Sequence, residues 1–132
     1  MAMTVNEIYL GALSLLAESA FSGDTDDYAE RAPYLAAAFC TEAQDTDDAM
    51  RAALGEPEAA DFNAVHIPLD DSFPLLDRFA PAACLYIAAM LVIDEDEELS
   101  DRLYDRYSDC MSRICESVPS IPQTVTDVYY FK

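Results

Sequence analysis

The segment FAPAACLYIAAMLVI, residues 79–93, carries no charge across fifteen residues and runs directly into DEDEE at 94–98. A run that is apolar on every side belongs inside a protein or a bilayer. A membrane-spanning helix needs about 20 such residues, and this run is shorter and holds Pro81. It therefore predicts the central, fully buried helix of a soluble bundle, with Tyr86 and Met90 in the interior. The five carboxylates that follow predict the start of the next helix, where they suit the positive end of the backbone dipole. A hinge at Asp94 would make the two long helices, 80–93 and 95–117, antiparallel neighbours in a hairpin.

The second arm has the cleanest stripe in the chain. Leu99, Leu103, Tyr107, Cys110, Met111, Ile114 and Val118 recur at helical spacing on one face. Glu98 with Arg102 and Asp109 with Arg113 are i,i+4 pairs on the other, each worth about 0.3 kcal/mol. Pro119 and Pro122 close the helix. The tail beyond them reads TVTDVYYF at 124–131 and favours an extended form, being β-branched and aromatic. A lone strand leaves its backbone unpaired. The tail must therefore dock on its own subunit or on another copy, which makes Val125, Val128, Tyr129, Tyr130 and Phe131 the candidate subunit or partner interface.

Toward the N-terminus the pattern stays helical. Thr4 and Glu7 form a capping box, so a helix starts at Val5 and carries Val5, Ile8, Tyr9, Ala12, Leu13 and Leu16 inward. Asp24 to Asp27 signal the next start, with Tyr28, Ala32, Leu35, Ala36, Phe39 and Ala43 as the stripe. Pro33 lies inside it and is expected to kink or divide the helix near Arg31. Asp45-Thr46-Asp47-Asp48 offers a further cap, followed by a short helix, 49–54, that stops at Gly55. Residues 56–72 hold no sustained period and read as a loop with an extended piece at 64–68. Helix resumes near Leu75 and bends at Pro81. The expected fold is thus mainly all-α, a single helical domain over 1–132. Its parts are a first helix (1–23), a second helical region (24–55), a loop (56–74), the helical hairpin (75–118) and an extended tail (119–132).

Composition bounds function. The chain has 132 residues, enough for one domain with a real core. With 52% apolar residues it is no disordered acidic tail, yet its net charge is −19. Wrapping nucleic acid requires Lys and Arg against phosphate, so the chain is a poor candidate for that class. A basic protein partner, or a surface that repels passing DNA, fits the charge. The acidity is spread through the chain rather than gathered in a tail. The N-terminus lacks a basic region and carries Glu7, unlike a secretory signal. Cys40, Cys84, Cys110 and Cys115 form no CxxC and read as reduced, small buried hydrophobes of a cytosolic protein.

The tests for chemistry fail one by one. His66, the single histidine, sits in AVHIP with no nucleophile or acid motif to partner it. A calcium loop needs Gly at its sixth position and Glu at its twelfth. Counted from Asp24 these are Ala29 and Leu35, and counted from Asp94 the sixth is Leu99. Three glycines, at 11, 23 and 55, cannot build a phosphate cradle. Tyr104 and Tyr107 read as packing groups, since a stacking platform for single strands comes with a basic groove. No catalysis, no metal and no cofactor are expected.

Three stretches carry a family resemblance: NEIYLGALSLLAE at 6–18, DYAERAPYLAAAF at 27–39, and LLDRFAPAACLYIAAMLVIDEDEELSDRLYDRY at 75–107. Together they resemble the small head–tail connector proteins of tailed phages and prophages, also called head-completion or adaptor proteins. The resemblance covers a little under half of the chain and rests on helix-packing patterns, not on a catalytic motif. It implies a structural subunit that forms a homo-oligomeric ring beneath the portal and meets tail or stopper proteins, with DNA passing through without specific binding. It implies a virion location, after assembly in the bacterial host cytoplasm, and no membrane. The rival reading is a soluble acidic interaction module, or a mimic of DNA charge, that binds a basic partner. The placement of most acids at helix starts favours the connector.

Overall fold

A computed structural model of the chain describes residues 3–19, 21, 23 and 25–119. The expected extended tail, with Val125, Val128, Tyr129, Tyr130 and Phe131, lies outside the described residues. The rest is mainly helical: α1 Val5–Glu18, α2 Tyr28–Leu54, α3 Ala80–Leu91 and α4 Glu97–Glu116, with a 3-10 turn, Asp77–Phe79, leading into α3.

The start of α1 follows from its sequence. The Thr4 hydroxyl accepts from the Glu7 amide at 3.2 Å and the Glu7 carboxylate accepts from the Thr4 amide at 3.0 Å, closing the capping box. The next two free amides of the helix start are met by the loop. Val5 N–H donates to the Asp71 carbonyl and Asn6 N–H to that of Leu69. The loop thus helps cap α1. A single antiparallel bridge, Thr4 to Ser72, extends this contact. The extended piece expected at 64–68 does not form. The Asn63 side chain accepts from the amides of Val65 and His66 and bends the chain there instead.

α2 corrects two expectations. It runs unbroken for 27 residues through both Pro33 and the acidic stretch 45–48. Pro33 lies in the second turn and removes one bond, to the carbonyl of Ala29, which is exposed and can turn to water. The buried stripe Ala36, Ala37, Phe39, Cys40, Ala43, Asp47 and Met50 then carries the helix past the expected second start, since packing of one face outweighs local capping preference. Its end is as expected. Gly55 sits at φ 74°, and the amides of Gly55 and Glu56 return to the carbonyls of Ala52 and Arg51, the paired closure that favours glycine.

α3 packs against α1, α2 and α4. Ala82, Ala83, Leu85, Ile87, Ala88, Ala89 and Leu91 are all buried, as an all-round apolar helix requires. Pro81 sits in the first turn, where its missing amide costs nothing, so the helix begins there rather than bending. Tyr86 and Met90 are half-buried, not interior. Both lie beside α4, and Tyr86 packs its ring against Tyr107 at 5.2 Å. The helix stops at Leu91, and a turn replaces the expected single-residue hinge, with the amides of Glu95 and Asp96 both reaching the Val92 carbonyl. Ile93 is left 45% exposed by that turn. Asp96 caps α4 by accepting from the Leu99 amide at 3.0 Å.

On α4, Leu99, Leu103, Tyr107 and Ile114 are buried as the stripe requires, with Cys110 and Met111 packed at its edge. Glu98 and Arg102 pair at 3.2 Å. Asp109 and Arg113 do not. The four thiols are free, with Cys40 buried, Cys84 and Cys110 half-buried and Cys115 exposed. The buried-hydrophobe reading therefore fails for Cys115.

Candidate functional site

Charge is handled in two ways in this fold, and the contrast locates the candidate site. The first is internal. Asp47 is fully buried on α2. One carboxylate oxygen accepts from Arg51 Nε at 2.8 Å and the other from the Leu76 amide at 2.9 Å. Arg51 reaches on to the carbonyls of Pro57 and Pro74. One buried ion pair thus pins both ends of the long loop to α2, with every group satisfied. Burial, with the Asp47 charge nearby, pushes the Cys40 thiol up to about 12.

A second internal clamp ties α2 to the end of α3. Arg31 donates to the carbonyls of Leu91 and Met90 at 3.2 and 3.1 Å. A cation suits this negative end of α3. Tyr28 donates to Glu95 at 2.9 Å, and burial followed by that bond raises its phenol. The third inward group is Tyr107, whose hydroxyl donates to Glu42 at 2.7 Å amid the rings of Phe39, Tyr86 and Tyr104. Burial and the Glu42 bond raise its pKa as well. Tyr107 is therefore the packing group expected. His66 is half-buried, edge-on to Tyr34 at 4.7 Å.

The second mode is external. Glu97, Asp101 and Asp105 follow one another at i,i+4 on the exposed side of α4. Among the described residues no ion pair engages Asp101 or Asp105. Beside them, where the end of α3 meets α4, lies a cleft of about 450 Å³ lined by Met90, Ile93, Ser100, Asp101, Tyr104 and Asp105. The Ser100 hydroxyl is not free within it, because it donates to the Ala89 carbonyl at 2.8 Å. Ile93 and Tyr104 are 45% and 39% exposed, giving an apolar surface with a carboxylate rim.

Two further clefts flank the loop. One, of about 520 Å³, includes Arg51 and Arg78 in its wall. The other, of about 560 Å³, includes His66 and Asp71. Arg51 already holds the loop, as shown above.

Among the described residues no three His, Cys, Asp or Glu side chains are grouped to hold a metal ion, and no helix is long and apolar enough to cross a membrane. The interface residues expected from the tail, Val125, Val128, Tyr129, Tyr130 and Phe131, lie outside the described residues. Sequence reasoning missed two features. Asp47 was legible as the i+4 neighbour of Ala43 and the i−4 partner of Arg51, inside the apolar stripe. The acidic row was legible in the spacing 97, 101, 105, once α4 was known to begin at Glu97. No family model, no curated protein and no solved structure matches this chain.

Proposed function

We propose that the chain is a structural, non-catalytic head–tail connector of a phage or prophage, forming a homo-oligomeric ring beneath the portal and meeting tail or stopper proteins. One observation carries the reading. The three resembling stretches fall on α1, on the first half of α2, and on α3 with most of α4, which are the helices gathered around α3. The likeness therefore follows the packed unit rather than scattered surface segments. The hairpin belongs to the same reading. Its antiparallel run draws support from the meeting of Ser100 with Ala89 and of Tyr107 with Tyr86. Exposed carboxylates would repel a DNA backbone passing through a ring. The tail residues Val125, Val128, Tyr129, Tyr130 and Phe131 would dock on the same or a neighbouring subunit. In a ring that contact is head-to-tail and closes only if the rotation suits.

The test is deletion of the gene from the phage or prophage, read by electron microscopy of the particles. The connector reading expects heads and tails that fail to join, restored by the full chain and not by a chain lacking residues 124–132. Intact infectious particles from the deletion would refute it.

The alternative, a soluble acidic module that binds a basic partner or mimics DNA charge, draws support from the row Glu97, Asp101 and Asp105. These carboxylates stand on an exposed face, about 6 Å apart along the axis at ~1.5 Å rise per residue. Such a module would be retained by a basic protein whether or not particles are present.

A further inference from the structure

We infer that the cleft between the end of α3 and α4 is the docking site for a basic, arginine-bearing segment of a protein partner, with one arginine seated over Tyr104 and its guanidinium between Asp101 and Asp105. The inference stands on the cleft itself and does not rest on the connector reading.

The shape comes first. At about 450 Å³ the cleft is within the ~300–1,000 Å³ range of sites that enclose a small group. Its apolar part is Met90, Ile93 and Tyr104, and Ile93 and Tyr104 are exposed despite their size. This apolar part lies directly beside the carboxylates of Asp101 and Asp105.

Charge then selects the occupant. Every charged residue three or four positions from Asp101 on α4 is acidic: Glu97, Glu98 and Asp105. Like charges at these spacings destabilise a helix. The arginines nearby do not relieve Asp101, since Arg102 is paired with Glu98. The face thus holds a repulsion that a cation from outside would remove. An apolar or acidic occupant would leave it in place, and an acidic one would add to it.

Geometry prefers arginine to lysine. A long aliphatic stem can lie along Met90 and Ile93 while the charged end stays at the rim. A guanidinium can stack on a tyrosine ring and bond carboxylates through its planar fork, which an ammonium cannot do. Tyr104 is held from behind by Tyr107, ring to ring at 5.2 Å, so the platform is fixed before the partner arrives. The three carboxylates recur once per helical turn, so a partner helix with arginine once per turn would match the row.

The test uses the full chain and a short peptide amide with arginine once per helical turn and alanine and leucine between, with lysine and glutamine versions as comparators. Binding is read by calorimetry and by backbone amide shifts in NMR. The expected result is binding of the arginine peptide with shifts centred on Ile93, Asp101 and Tyr104, and weaker binding of the lysine peptide. The double variant Asp101→Asn/Asp105→Asn should lose roughly tenfold or more in affinity, since removing one side of a desolvated charge pair weakens binding strongly. The control Asp45→Asn/Asp48→Asn removes the same charge from exposed positions of α2 and should change affinity by less than about twofold, as a distant charge acts mainly through screening. All four substituted positions are exposed, and melting curves check that each variant folds. No binding of the arginine peptide overturns the inference. So does an equal loss in the control, which would mean diffuse attraction to an acidic protein, or binding at this cleft by the glutamine peptide with equal strength.

Discussion

Asp47 on α2 and Asp101 on α4 are the same residue in two helices, placed under opposite rules. Asp47 is fully buried, has Arg51 four residues on and accepts a backbone amide as well. Asp101 is exposed, has acids at its three charged helical neighbours and joins no ion pair. The first arrangement removes a charge from partnership by satisfying it inside the fold. The second keeps a charge available at the expense of local repulsion. A net charge of −19 therefore does not describe a uniform coat. One part of it holds the loop, and another lies open beside apolar residues.

The largest effect should come from breaking the internal arrangement. Asp47→Ala leaves Arg51 without its carboxylate and the Leu76 amide without an acceptor. Breaking a buried pair from one side costs about 3–5 kcal/mol, measured by urea denaturation. A loss below about 1 kcal/mol would mean that the loop is held by something else and the contrast with α4 is superficial. Leu103→Ala on the buried face of α4, where Leu103 is 1% exposed, should cost about 2–5 kcal/mol. The opposite face of the same helix should tolerate truncation, so equal losses on both would show that the assignment of faces is wrong.

A pH titration sharpens the same divide. The Cys40 thiol lies at about 12 instead of 9.0, chiefly through burial. Cys84 lies at about 11 for the same reason. Both folded values exceed their unfolded ones. Their contribution is fully present below pH 9 and is lost as pH rises toward 11 and then 12. Stability should therefore fall on the alkaline side, and Cys40→Ala should flatten that fall. A profile unchanged by Cys40→Ala would place the alkaline loss elsewhere.

A smaller effect is expected where α1 meets α3. A Cβ at Gly11 would lie 2.6 Å from Cys84 Sγ, and that thiol donates to the Ile8 carbonyl at 3.4 Å. Gly11→Ala gains helix propensity of about 1 kcal/mol but forces the thiol aside, an overpacking of about 1–3 kcal/mol. A net loss near 1 kcal/mol is expected by that difference, and Cys84→Ala should reverse its sign. If Gly11→Ala stabilises with Cys84 intact, the helices are not in close approach.

Much of this was legible in the residues themselves. The apolar run 79–93 announced the helix that α1, α2 and α4 gather around, and Thr4 with Glu7 fixed the start of α1. Gly55 fixed the end of α2. These are local rules with no strong competitor. The continuity of α2 was not legible, because Pro33 and the stretch 45–48 both carry genuine boundary signals. What overrode them was packing of one face through Ala43, Asp47 and Met50, which depends on partners distant in sequence. Asp47 itself shows the difficulty. Its helix-capping chemistry is real, but its oxygens go to Arg51 and to Leu76, 29 residues away. The cleft was hidden for a related reason. It exists because α3 stops at Leu91 and a turn exposes Ile93, a boundary that the unbroken apolar run does not reveal.

The open state of the α4 row is the central claim, and the denaturation free energy of Asp101→Asn tests it most directly. Removing one member of a like-charged i,i+4 set should stabilise the isolated chain by about 0.2–0.5 kcal/mol per relieved pair. The gain should shrink as salt screens the row. A more stable, salt-sensitive Asp101→Asn is the result expected. A variant that is destabilised by about 1 kcal/mol or more, at low and high salt alike, would show that Asp101 is satisfied within the fold as Asp47 is, and the contrast between the two helices would fail.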